Sequence, residues 1–362
     1  MTADSPVVQT VLGPVAASAL GLTMAHEHVL FDLSCYFNRS EDDPEDTLAE
    51  APMESMVPDR LWWLRAHPMN NRANLVQDGL DLAVEEVAQF KASGGGTLVD
   101  VTTLGIRPGA RGQVAPYPGG LVEVSRRTGV HIVAGTGFYV WPSYAQPAGE
   151  LCEAPVEALA GHLRRELLEG IAGTDVRAGL IGELGIGNPP APVEARVLAA
   201  AARVQRELGC AVSLHPVWGA ESALQAARLA EEAGIDPRRT AICHLDVRFR
   251  DDVSLYRQIA ARGFFLEMDT FGRESYYPHV DSQLPSDDER IGSVLGLLDA
   301  GLGDRLLFAE DICFSHELIH HGGYGYAHVL RTVGPRLRRR GVDETSLERI
   351  LVDNPRRWLA GA

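Results

Sequence analysis

Six side chains in this sequence are of types that hold divalent metal ions, and each stands at or near the end of a short apolar run. They are His26 and His28 in LTMAHEHVLF, Glu183 in AGLIGEL, His215 in AVSLHP, His244 in TAICHL and Asp311 in RLLFAED. Imidazole nitrogens with carboxylate oxygens suit borderline cations such as zinc. His26 and His28 are two residues apart, and the period of a strand turns such a pair to one face. Any one of these histidines alone would ordinarily be a hydrogen-bonded core residue; six groups ending five runs ask for a shared site. Six ligands are enough for two ions. A two-ion site turns a bridging water into hydroxide near neutral pH and polarises a carbonyl or phosphoryl oxygen, which is metal-assisted hydrolysis. The expected cofactors are two divalent metal ions, zinc first, with manganese, cobalt or iron as alternatives.

Such a site needs a scaffold that brings five run ends together. Eight apolar runs suit strands of a buried parallel sheet: 22–31, 97–102, 131–138, 178–184, 211–216, 240–245, 264–269 and 305–311. Between them lie segments with apolar residues at three- and four-residue spacing, such as 80–91, 193–208 and 221–233. Gly129, Gly209, Gly234 and Gly263 stand just before runs, where a left-handed cap would end a helix. Eight βα units predict an α/β fold, a (β/α)8 TIM barrel whose active site lies at the C-terminal ends of the strands. A doubly wound sheet competes, but no GxGxxG opens the first unit. The whole chain, 1–362, reads as one barrel domain with a small hairpin at 7–15 and an insertion at 36–77 after strand 1. This insertion carries Trp62 and Trp63 and is expected to form a flap over the mouth.

Composition narrows the partners. The chain has 362 residues, 45% hydrophobic and 23% charged, enough for a substantial core. Forty-nine acidic against thirty-three basic side chains give a net charge of −16, which repels phosphate backbones and anionic lipids, so neither nucleic acid nor a membrane is expected as partner. Five scattered cysteines without CxxC spacing indicate reduced thiols in a cytoplasmic protein. The N-terminus lacks the basic start of a secretory signal, and no run is long enough to span a bilayer. A small-molecule substrate and a homodimer are expected.

The motifs AHEHVLFD (25–32), IGELG (181–185), SLHP (213–216), CHLD (243–246), FAEDIC (308–313) and DNPRRWL (353–359) resemble the phosphotriesterase branch of the amidohydrolase superfamily over nearly the whole chain. VQTVLGPV, FKASGGGTLVDVTT, TGVHIVAGTGFYV and GGYGYAHVL are similar to the phosphotriesterase-related proteins within it. The resemblance implies that His26, His28 and Asp311 hold the more buried ion, His215 and His244 the more exposed one, and that Glu183 bridges them. Many members bridge with a carboxylated lysine, but Lys91, on the first barrel helix, is the only lysine here. It further implies that Asp311 accepts the attacking water's proton and passes it to the leaving group. Tyr139 matches a tyrosine that positions the carbonyl in related lactonases, with rim packing as its alternative. Asp246 is expected to serve structure.

Two departures bear on substrate. Efficient phosphotriesterases place a histidine after the aspartate ending strand 7, whereas Asp269 is followed by Thr270; and the arginine many relatives carry after CHLD is displaced, with Val247 preceding Arg248. The resemblance therefore implies hydrolysis of a carboxylic amide of the N-acyl amino acid type, such as N-acetyltaurine, or of a lactone. Phosphotriester hydrolysis is the alternative, and a metal-bound binding protein without turnover is the alternative of another class. Loop residues Trp141, Tyr144, Trp218, Phe271, Tyr276, Tyr277 and Phe314 are candidate pocket walls, and Arg107, Arg248 and Arg273 candidate anion contacts if not simply solvated. His316, Glu317 and His320 fit HExxH, but fall in a loop beside a ligand set already complete.

Overall fold

The computed structural model describes residues 6–38, 47–109, 117–247, 253–277 and 281–361. Eight strands follow one another in a single sheet in chain order: β1 Leu22–Glu27, β2 Gly95–Asp100, β3 His131–Thr136, β4 Leu180–Ile186, β5 Ala211–Pro216, β6 Thr240–Ile242, β7 Phe265–Met268 and β8 Leu306–Phe308. Every ladder between neighbours is parallel. Between β8 and β1 the ladder gives way to individual bonds. The Asp311 N–H donates to the His26 carbonyl at 3.2 Å, and the buried Glu27 carboxylate accepts the N–H groups of Glu310 and Ile312 at 2.7 and 3.0 Å. These bonds draw the first strand onto the last and complete the barrel, as the run count predicts.

The helices that cover the sheet are apolar on one face. In α5, Pro192–Leu208, the residues Val193, Val197, Leu198, Ala201 and Val204 are buried at helical spacing. It ends at Gly209, φ 66°, and α3, Gly119–Thr128, ends at Gly129, φ 68°, a left-handed cap that a Cβ would disfavour. The other covering helices are α2, Leu80–Ala92, α4, Val156–Leu168, α6, Ala220–Ala233, α7, Val253–Ala261, and α8, Asp287–Asp299.

Opposite the mouth the barrel is packed shut. Ala25, Val99, Val133, Leu180, Ala211, Ala241, Phe265 and Leu307, one from each strand, pack with Val8 of the hairpin Val7–Thr10/Gly13–Ala16 and with Trp358 of the C-terminal helix. The Trp358 indole N–H reaches the Val212 carbonyl at 3.1 Å. Polar side chains inside the barrel therefore gather at the other end, where the strands finish. There the insertion begins: Phe31–Asp32 pairs antiparallel with Val76–Gln77, and α1, Met53–Ala66, lies between them in sequence. Trp63 is buried against His67 and Trp62 is exposed; residues 39–46 of the insertion lie outside the described residues.

Candidate metal centre

All six predicted ligands meet at the mouth, each less than one-tenth exposed. Glu183 sits centrally. Its Oε2 lies 3.4 Å from His26 Nε2 and 2.5 Å from His215 Nδ1, while Oε1 lies 3.5 Å from His28 Nε2. Asp311 Oδ1 is 3.3 Å from His28 Nε2 and 3.7 Å from His26 Nε2. His244 Nε2 is 2.9 Å from His215 Nδ1. Around a tetrahedral ion with bonds of about 2.0–2.1 Å, neighbouring ligand atoms stand about 3.3–3.4 Å apart. The separations of His26 and His28 from Glu183 and of His28 from Asp311, 3.3 to 3.5 Å, are close to that spacing and the His26–Asp311 separation is wider at 3.7 Å, whereas the His215–Glu183 and His215–His244 separations are those of direct hydrogen bonds.

The residues fit a metal by a second criterion. His26 Nε2 and Glu183 Oε1 are buried without a hydrogen-bond partner, a costly state that a cation between them would relieve. Ligand atoms of His26, His28 and Glu183, of His26, His244 and Asp311, and of Glu183, His215 and His244 each lie within 4.8 Å of one another. Three of the four imidazoles are aimed by a bond at their other nitrogen: His26 Nδ1 to Glu267 at 3.2 Å, His28 Nδ1 to the Thr102 hydroxyl at 2.9 Å, and His244 Nδ1 to Asp269 at 3.0 Å. Such partners fix ring and tautomer and raise ligand basicity. Thr102 and Glu267 are not evident in this role from the motifs, which mark Asp269 only as a strand end; Glu267, a carboxylate inside the apolar run FFLEMD two residues before Asp269, is the signal the sequence carries.

Electrostatics favours the ligand forms of both carboxylates, of His215 and of His244, whereas His26 is raised against burial by Cys243 and Glu183, and His28 by Asp311 and Glu183, so a cation entering there displaces a proton from each ring. Burial alone would push Glu183 up, but the imidazoles of His215 and His26 hold it well below the ordinary carboxylate range. Asp311 is likewise held far down against burial by the Arg273 guanidinium and by His28. Burial lowers His215 and His244, favouring the neutral rings that coordinate. His244 and Asp311 adopt left-handed backbone, φ 58° and 50°, so each turns out of its strand direction toward the centre. The His244 N–H is held there by both Asp269 oxygens, at 3.1 and 2.9 Å.

Above the ligands lies a cavity of about 350 Å³ lined by Tyr36, Met69, Ile106, Tyr139, Trp218, Tyr277, Phe314 and others. Of the predicted walls, Trp218, Tyr277 and Phe314 are in place. Tyr144 instead packs into the core beneath Trp141, Phe271 packs on Phe308, and Tyr276 bonds Asp281 at 2.8 Å. Tyr36 and Met69, from the two sides of the insertion, were not foreseen. Tyr139 lines the cavity with its ring edge on His215, centroids 4.9 Å apart, and its hydroxyl accepts from Tyr36 at 3.1 Å.

The arginines correct the sequence reading. Arg107 is not at the cavity: it turns into the barrel wall and grips Glu166 of α4 with two bonds of 2.9 and 2.8 Å. Arg248 lies outside the described residues. Arg273 is buried at the cavity edge rather than solvated, bonded to Asp311 and Glu317. His316 meets Asn74, Glu317 meets Arg273, and neither they nor His320 join any of the possible metal-holding groups among the described residues. Asp246 accepts the Thr270 N–H at 3.0 Å and faces Arg290 at 3.3 Å, a structural position.

Comparison with known proteins agrees with this geometry. Residues 6–359 match the phosphotriesterase family. An N-acetyltaurine hydrolase of Salmo salar is 37% identical over 363 residues, covering 99% of each chain. A resiniferatoxin-binding protein from Rhodobacter sphaeroides is 38% identical with a TM-score of 0.91, covering 99% of this chain and 96% of that one. A mutant of a PTE-like lactonase from Deinococcus radiodurans is 29% identical with a TM-score of 0.71, covering 97% and 99%. Barrel, ligand cluster and full-length similarity together make this chain a member of the phosphotriesterase family.

Proposed function

We propose that the protein is a hydrolase of a carboxylic amide of the N-acyl amino acid type, such as N-acetyltaurine, or of a lactone, working with two divalent ions held by His26, His28, Glu183, His215, His244 and Asp311. The observation that carries this reading is the set of convergent ligand atoms around the unpartnered His26 Nε2 and Glu183 Oε1. The N-acetyltaurine hydrolase and lactonase relatives support the choice of a carbonyl substrate. When bound, divalent ions supply an acidified water and polarise the substrate carbonyl. The chain's own groups do the rest. Glu183 would be the carboxylate shared by two bound ions, with no lysine modification available, since the only lysine is on α2. The Tyr139 hydroxyl, kept neutral by burial, donates toward the carbonyl oxygen from the cavity wall. Asp311 accepts the attacking water's proton and returns it to the leaving nitrogen or oxygen. The apolar walls Ile106, Trp218 and Phe314 exclude bulk water and seat the substrate's carbon skeleton.

Zinc as the resident ion, a homodimer and a cytoplasmic location complete the proposal. All five cysteines are free, in keeping with a reducing compartment, and among the described residues no helix is long and apolar enough to cross a membrane. The test is a panel of N-acetyltaurine and other N-acyl amino acids, lactones and an aryl phosphotriester, run on protein loaded with zinc, manganese or cobalt. Turnover of an amide or lactone is expected to exceed that of the triester. Faster triester hydrolysis, or silence with all three classes, overturns the reading.

A further inference from the structure

Arg273 borders the substrate cavity, and an arginine there invites the role of anion receptor for a substrate's carboxylate or sulfonate. Its bonds point to another role. The guanidinium is buried and each of its three nitrogens is already bonded within the protein. Nε donates to Glu317 Oε1 at 2.6 Å and Nη1 to Asp311 Oδ2 at 2.7 Å; Nη2 donates to Glu317 Oε2 at 3.0 Å, to Cys313 Sγ at 3.1 Å and to the Asp311 carbonyl. One positive charge stands between two carboxylates, so no surplus charge faces the cavity.

We infer that Arg273, braced by Glu317, is a positioning residue that locks Asp311 in its ligand pose. The inference rests on the assignment of Asp311 to the metal centre. Arg273 holds that residue at two points: a side-chain oxygen, and the carbonyl of a backbone in the left-handed region, φ 50°. With Oδ2 tied down, Oδ1 is left facing His28 and His26 at 3.3 and 3.7 Å. The brace is anchored at both ends. Glu317 also accepts the N–H groups of Cys313 and Phe314, at 3.0 and 3.1 Å, which joins it to the turn leaving β8. The Arg273 carbonyl is held by Arg290 at 2.7 Å, and Arg290 also bonds the Thr270 hydroxyl at 3.1 Å, which fixes the loop leaving β7. This gives Glu317, the acid of the HExxH-like stretch, a role without metal. A lysine could supply the charge but not a planar fork that grips both carboxylates and a carbonyl at once.

The test compares Arg273→Met, Arg273→Lys and Glu317→Gln with wild type in two readouts. Metal affinity is measured by competition with a graded chelator, and kinetics are measured on an anionic N-acyl amino acid and an uncharged lactone. The brace predicts metal affinity about 10- to 100-fold weaker in Arg273→Met, the range for losing an outer partner of a ligand. Arg273→Lys should recover only part of it, and Glu317→Gln should shift the same way by less. In Arg273→Met, kcat on both substrates should fall by a common factor with KM for the anionic one unchanged. Wild-type metal affinity in Arg273→Met, or a loss confined to KM of the anionic substrate, overturns the brace and restores the anion receptor. Glu317→Gln, nearly isosteric, carries the affinity test if Arg273→Met does not fold, and unchanged affinity there refutes the brace. If wild type turns over neither substrate, the hydrolase reading falls while the affinity comparison still decides on Arg273.

Discussion

Replacing Glu166 by glutamine tests how the wall behind the site is held. Glu166 accepts two bonds from Arg107, one from the Thr136 hydroxyl at 2.6 Å and one from the Ala172 N–H at 3.2 Å. Burial by itself would raise its pKa, but the Arg107 charge and hydrogen bonds outweigh it and bring the carboxyl from 4.5 down to about 2. At about 1.36 kcal/mol per unit, that depression stores about 3 kcal/mol of folding free energy. Because the folded pKa lies below the unfolded one, the contribution is complete above about pH 4.5 and is lost as pH falls toward about 2. Glutamine keeps the shape but leaves the buried guanidinium without a counter-charge, a change that costs about 3–5 kcal/mol. The assay is urea unfolding of both metal-free proteins from neutral pH down to about pH 3. Glu166→Gln is expected to be less stable at neutral pH and to show a flatter acid limb. Parallel pH curves, or a neutral-pH loss below about 1 kcal/mol, would show that the Arg107–Glu166 pair does not hold this wall. Arg107 Nε also donates to the Thr102 carbonyl at 3.4 Å, and Thr102 aims His28, so the variant should release metal more readily as well.

Glu267→Gln removes the carboxylate that aims His26 and is expected to weaken metal binding about 10- to 100-fold in chelator competition; unchanged affinity would mean that the 3.2 Å contact does nothing for the ligand. Asp311→Asn keeps an oxygen ligand but removes the base, so turnover should fall about 10²- to 10⁴-fold, well beyond any loss of metal. That loss should be largest for an amide and smallest for an aryl phosphotriester; equal losses on amide, lactone and triester would make Asp311 a ligand only. Tyr139→Phe keeps the packing on His215 but removes the donor toward the substrate and the acceptor of the Tyr36 hydroxyl, with about a tenfold fall in kcat/KM expected, and an unaltered kcat/KM would return Tyr139 to rim packing.

The eight runs were legible because strands buried on both faces leave unbroken apolar stretches. Their ends were less so. The run 240–245 pairs only over Thr240–Ile242, and 305–311 only over Leu306–Phe308. Past those points His244 and Asp311 take left-handed backbone to enter the site, and apolar patterning carries no signal for that. The six ligand candidates stood out because charged and imidazole groups interrupt apolar runs. Arg107 and Arg273 could not be placed in the same way. Their partners lie 59 and 38 to 44 residues away in sequence, so only the fold shows that one braces the wall and the other Asp311. The cavity walls were misread for a related reason: Tyr36 and Met69 come from the insertion, whose path no periodicity announces.

Six unmodified side chains are proposed to hold two ions, with Glu183 shared between them, and elemental analysis of wild type and Glu183→Ala, each reconstituted with zinc in the presence and absence of bicarbonate, decides the point. Close to two ions per wild-type chain are expected in both conditions, with Glu183→Ala losing the pair and not regaining it with bicarbonate. One ion or fewer per wild-type chain after reconstitution, or two ions retained by Glu183→Ala, would contradict it.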